Sequence, residues 1–95
     1  MVGERVRVKK LCQRAKNRGT KEVCELLGRY ANARLHHFDN ISLNQFEELL
    51  GLSDWEIFDL ILGLQSAPES LSSIVTRIRS WVNSEYQNSR QINES

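Results

Sequence analysis

Apolar residues recur at helical spacing along most of this chain, and the breaks between stripes coincide with capping signals. Val8, Leu11, Cys12 and Ala15 predict a first helix from about Glu4 to Lys16, with an apolar stripe and a cationic back. Asn17 and Gly19 interrupt it. Asn tolerates the left-handed conformation that often ends helices, and Gly19 can N-cap the next helix. Val23, Leu26, Leu27, Tyr30, Ala31 and Arg34 then form a second stripe ending around Leu35. Ser42 with Gln45 makes a capping box and Ile41 with Phe46 a hydrophobic staple, so a third helix is expected over Leu43 to Leu50, stopped by Gly51. The device repeats with Ser53 and Glu56, and with Leu52 and Ile57. It opens a short fourth helix that carries Trp55, Phe58, Ile61 and Leu62 and ends at Gly63. Pro68 and Glu69 suit the first turn of a fifth helix. Its stripe of Leu71, Ile74, Val75, Ile78, Trp81 and Val82 should close the core while Arg77 and Arg79 stay wet.

No strand pattern appears, so the expected fold is all-α, a compact single-domain bundle of five short helices. With 95 residues and 40% hydrophobic content the chain can build one modest core and not two. The domain is expected over 1–86. Residues 87–95 lack an apolar period and are rich in Asn, Ser and Gln, which predicts a disordered tail. Trp55 and Trp81 are expected in the core.

Charge changes the picture. Eight basic residues from Arg5 to Lys21 face only Glu4, whereas the rest of the chain sets five arginines against eleven acids. A net charge of +1 therefore hides a basic end and an acidic body, a pattern that suits an anionic partner surface. No apolar run approaches the roughly 18 residues that span a bilayer, and the start of the chain lacks the apolar segment of a secretory signal. No membrane insertion is expected, and a bacterial cytoplasm, or an already processed organellar protein, is the expected setting. Cys12 and Cys24 stand six residues before and six after Arg18, a spacing that fits neither a redox pair nor a zinc knuckle. They are expected as reduced thiols in a helix interface. His36 and His37 share no helix face and are expected at the surface.

Little here could support catalysis. There is no nucleophile elbow, no Walker loop, no metal-ligand cluster and no glycine-rich dinucleotide loop. Asp54, Glu56 and Asp59 lie early in a helix, where acids ordinarily serve the dipole. A small helical nucleic-acid-binding or adaptor module using the basic first helix is the alternative reading. Against nucleic acid, the helix after the glycine turn presents Glu22 and Glu25 where phosphates would be repelled. A protein-binding module accounts for more. Arg14 and Arg18 can fork onto carboxylates or carbonyls of a partner, and Gly19 lets another backbone approach closely. By itself the RGxxE spacing of Arg18, Gly19 and Glu22 is an ordinary capping arrangement.

In its full frame the chain resembles the succinate dehydrogenase assembly factors, the SdhE-type flavinylation proteins. The resemblance rests on RGTKEVCELLGRYANARL, on FEELL followed by SDWEIFDLILG, and on the turn Ala67 to Glu69, and it spans about Lys10 to Val82. It implies a five-helix fold. It further implies binding to the flavoprotein subunit of succinate dehydrogenase, with fumarate reductase as a further candidate client, and promotion of covalent FAD attachment. The chain would hold the flavoprotein with its own histidine poised toward the flavin. Arg18, Gly19 and Glu22 take the partner-contacting role, with Arg14 one turn earlier and Asp54 completing the candidate set. Two departures stand out: Asn17 replaces the basic residue common before the motif, and Cys24 stands where many members carry an acid. No catalytic residue, metal site or FAD pocket of its own is expected, because FAD is the client's cofactor. The free protein is expected to be a monomer.

Overall fold

The computed structural model describes residues 2–94, with side-chain surroundings for residues 5–85. Five α-helices follow in order: α1 (Val2–Lys16), α2 (Lys21–Arg34), α3 (Asn40–Leu50), α4 (Asp54–Leu62) and α5 (Glu69–Glu94). A 3-10 turn, Leu35–His37, follows α2, and the described residues contain no strand. The all-α bundle expected from periodicity is present. The tail expected at 87–95 lies outside the residues whose side chains are described.

The α1 and α2 helices form an antiparallel hairpin, and α5 packs across α3 and α4. Every predicted stripe contributes to one core. Leu27, Leu35, Phe46, Leu49, Ile57, Ile74 and Ile78 are fully buried, and Val8, Leu11 and Ala15 seal the core from α1. Tyr30 lies at its aromatic centre, with ring centroids 6.1 Å from Phe38, 6.1 Å from Phe46 and 5.6 Å from Trp81. Burial raises the Tyr30 phenol pKa above its ordinary value, so the ring stays neutral.

Several local expectations give way to tertiary competition. Asp39, not Ser42, caps α3, its carboxylate accepting from the Ser42 N–H at 2.8 Å. That hydrogen bond is the main reason the Asp39 carboxyl lies below its ordinary pKa. Ser42 is thereby drawn inside the helix, where its hydroxyl accepts from Arg77 at 3.1 Å, and Ile41 is left 68% exposed, so it forms no staple. The fourth helix begins as expected, with Ser53 Oγ accepting from the Glu56 N–H. Arg79 is not wet, since its Nε and Nη2 both donate to the Leu60 carbonyl at the end of α4. Arg77 lies over the Phe38 ring at 5.5 Å.

Gly63 ends α4 in the left-handed region, with φ of 80°, and it is the only described residue with positive φ. Asn17 therefore ends α1 without a left-handed residue. Gly63→Ala should cost about 1 kcal/mol because a Cβ strains this conformation. Urea unfolding monitored by circular dichroism will show the midpoint falling at constant slope.

Candidate partner-binding site

The turn between α1 and α2 is held by Arg18, and every polar group of that residue is used inside the molecule. Its N–H donates to Cys24 Sγ at 3.0 Å and its carbonyl accepts from the same thiol at 2.8 Å. The guanidinium donates to the Asp54 carboxylate, to the Leu50 carbonyl at 2.7 Å and to the Leu52 carbonyl. It thus lies between the negative C-terminal end of α3 and the acid in the first turn of α4, which is where a cation gains from both. The two ion-pair side chains are only 13% and 17% exposed. In this geometry the Arg18 fork, expected to meet a partner, directs Nε, Nη1 and Nη2 each to an acceptor of the chain itself. No signal along the sequence links positions separated by 36 residues.

Asp54 also accepts from the Thr20 N–H at 2.7 Å. It therefore satisfies one of the donors left open at the start of α2, whose N-cap is Thr20 rather than Gly19. The Arg18 hydrogen bond, followed by that of Thr20, holds the Asp54 carboxyl below its ordinary pKa. Asp54 is more than a dipole acid: it fastens the turn to α4.

With Arg18 withdrawn, the groove above it is left to other groups. Lys10, Gln13, Arg14, Asn17 and Gly19 line an open depression of about 600 Å³ whose floor is Arg18 and Asp54. Arg14 is about half exposed, with Glu47 3.6 Å from its guanidinium, an interaction too solvated to contribute much. Gly19 is exposed. A Cβ there would meet Asp54 Oδ2 at 3.7 Å, ordinary contact, and its φ is not positive. This fold does not require glycine at that position.

Four of the five candidate residues, Arg14, Arg18, Gly19 and Asp54, converge on this groove. Glu22 does not. It lies exposed in the first turn of α2 and lines a different depression with Leu26 and Trp81. Trp55, expected in the core, is 77% exposed beside Asp54 in the chain. The neighbouring helices leave it uncovered, and period alone could not tell which face of α4 they would cover. Cys12 and Cys24 are both free thiols. Cys12 is buried, which raises its pKa and keeps it protonated, whereas Cys24 is the clamp on Arg18.

Residues 9–82 match the family model described as flavinator of succinate dehydrogenase, Sdh5. The chain belongs to the Sdh5 family. No curated protein and no solved structure gives a significant match. The matched span takes in every residue lining the groove, α1 from Lys9 onward, all of α2, α3 and α4, and α5 as far as Val82. Among the described residues, no helix is long and apolar enough to cross a membrane, and no cluster of His, Cys, Asp and Glu could hold a metal ion. That family description supports an assembly role for this chain.

Proposed function

We propose that the chain binds the flavoprotein subunit of succinate dehydrogenase through the groove at the α1–α2 turn and so promotes covalent attachment of that subunit's FAD. The observation that carries the reading is Gly19. The turn around it is rigidly tied by Arg18, Cys24 and Asp54, yet nothing within the chain forbids a side chain at that position. An exposed, rigid glycine between Arg14 and Asp54 leaves room for another backbone. Arg14 and Lys10 supply charge at the rim.

The groove does not suit a flavin of its own. Its lining residues are polar or charged, with no aromatic ring on which an isoalloxazine could stack. The reaction therefore belongs to the client and its cofactor, while this chain contributes orientation. The isolated chain is proposed to retain no FAD, and a stoichiometric flavin in the purified protein would overturn that.

Co-expression with the flavoprotein subunit, read as covalent flavin fluorescence in a denaturing gel, tests the assignment. Wild type should raise the flavinylated fraction. Arg14→Glu should lower it, with weakened binding more evident at low salt. A wild type without effect on the flavoprotein would sink the proposal.

Trp55 adds a further expectation. Because it is exposed, Trp55→Ala should change stability by no more than about 0.5 kcal/mol. Affinity for the flavoprotein should fall by about 2 kcal/mol, the size usual for an interface tryptophan. Thermal melting and calorimetric titration of the same variant separate the two effects.

A further inference from the structure

The displacement of Glu22 from the Arg18 groove directs attention to the opposite flank of α2. There, Leu26 of the second predicted stripe and Trp81 and Val82, expected to close the core, are only partly buried. They line two depressions of about 370 and 330 Å³ that share Leu26 and Val82 and so form one continuous groove between α2, α4 and α5. Its ends differ in character. At one, Glu22, Glu25 and Glu85 surround the apolar floor with Arg29 as the only lining cation. None of these acids has an ion-pair partner among the described residues. At the other, Phe58 and the 56% exposed Leu62 extend the apolar floor. The cation present there, Arg79, is committed to the Leu60 carbonyl.

We propose that this groove takes a second segment of the client flavoprotein, one that places Lys or Arg against the Glu22, Glu25 and Glu85 end and aliphatic side chains against Leu26, Val82 and Leu62. The proposal rests on the reading of the chain as a flavoprotein-binding factor. Charge complementarity selects a basic segment, and the apolar floor selects aliphatic neighbours. Continuity selects the flavoprotein, because Glu22 follows Gly19 by three residues and the two grooves flank the same end of α2. The RGxxE motif is then divided. Arg18 and Gly19 shape one contact and Glu22 borders another, so the client is gripped on both sides of the α1–α2 turn.

The test titrates purified flavoprotein subunit into the fluorescently labelled full chain at low and high salt. Two variants change exposed groove positions: the double charge reversal Glu25→Lys with Glu85→Lys, and Leu62→Asp. Circular dichroism melts check that both keep their fold. Each variant should weaken binding at least tenfold, and the double reversal should also flatten the salt dependence. Wild-type affinity in both variants, with Arg14→Glu still impaired, would overturn the groove and leave the proposed function standing. Failure of wild type to bind the flavoprotein would overturn both. Concentration-dependent self-association in sedimentation that the variants abolish, with flavoprotein binding intact, would assign the groove to a second copy of this chain and overturn the proposal.

Discussion

Replacing Arg18 with alanine will destabilise the fold by about 3 kcal/mol, the scale for removing one partner of a largely buried, hydrogen-bonded pair. Three acceptors lose their donor at once: the Asp54 carboxylate and the Leu50 and Leu52 carbonyls. Asp54 keeps only the Thr20 N–H. Arg18→Lys should recover part of the loss, since an ammonium retains the charge but cannot reach all three acceptors as a planar fork does.

The variant also alters acid sensitivity, with a sign set by Asp54. Its pKa is lowered in the folded state, chiefly by the Arg18 hydrogen bond. The corresponding stability is complete above the unfolded carboxyl value of about 4 and is lost as pH falls through the lower folded value. Urea unfolding along the acid limb should therefore show wild type losing stability more steeply than Arg18→Ala. A residual slope should remain from Asp39, whose lowered pKa depends on Ser42 and not on Arg18. Equal stability and equal acid slopes in the two proteins would refute the structural role. A loss of flavinylation in Arg18→Ala consequently reports on the turn as well as on the interface.

Gly19→Ala should do the opposite: leave the fold intact and impair the interaction. The added methyl meets Asp54 Oδ2 at an ordinary 3.7 Å, and φ is already in a region alanine adopts. Loss of backbone freedom in the unfolded chain should even stabilise the variant by roughly 0.5 kcal/mol. If a partner backbone lies against the glycine, the methyl has no room, and affinity should fall tenfold or more, about 1.4 kcal/mol. Melting and titration against the flavoprotein subunit measure both quantities on one sample. Unchanged affinity would remove Gly19 from the interface.

Much of the fold was legible along the chain because it is governed by local period and punctuation. The stripes of α1, α2 and α5 predict faces that are largely buried, with Leu26, Trp81 and Val82 only partly so and Arg34 exposed, and Ser53, Gly51 and Gly63 mark real boundaries. Where two caps competed, the nearer rule lost: Asp39 captured the Ser42 N–H, and Ser42 was then free to accept from Arg77 on α5. Thr20 replaced Gly19 as cap because Asp54, far along the chain, could reach its N–H. The candidate site was legible as a motif but not as a geometry. Arg18, Gly19 and Glu22 are neighbours in sequence, while a helical turn sends Glu22 to a different flank from Gly19.

The sequence by itself determined an all-helical single domain, the basic and acidic halves, and the motif frame that places the chain with the flavinators of succinate dehydrogenase. Those properties follow from residue order, since period, capping and charge act over a few positions. Tertiary structure alone decided which polar groups remain available to a partner. Arg18, the most conspicuous cation of the motif, is spent on Asp54 and on the end of α3, Arg79 is spent on α4, and Arg14, Gly19, Trp55 and Leu62 are left at the surface. A donor's availability depends on acceptors that arrive from distant segments, and only packing brings them within hydrogen-bonding reach.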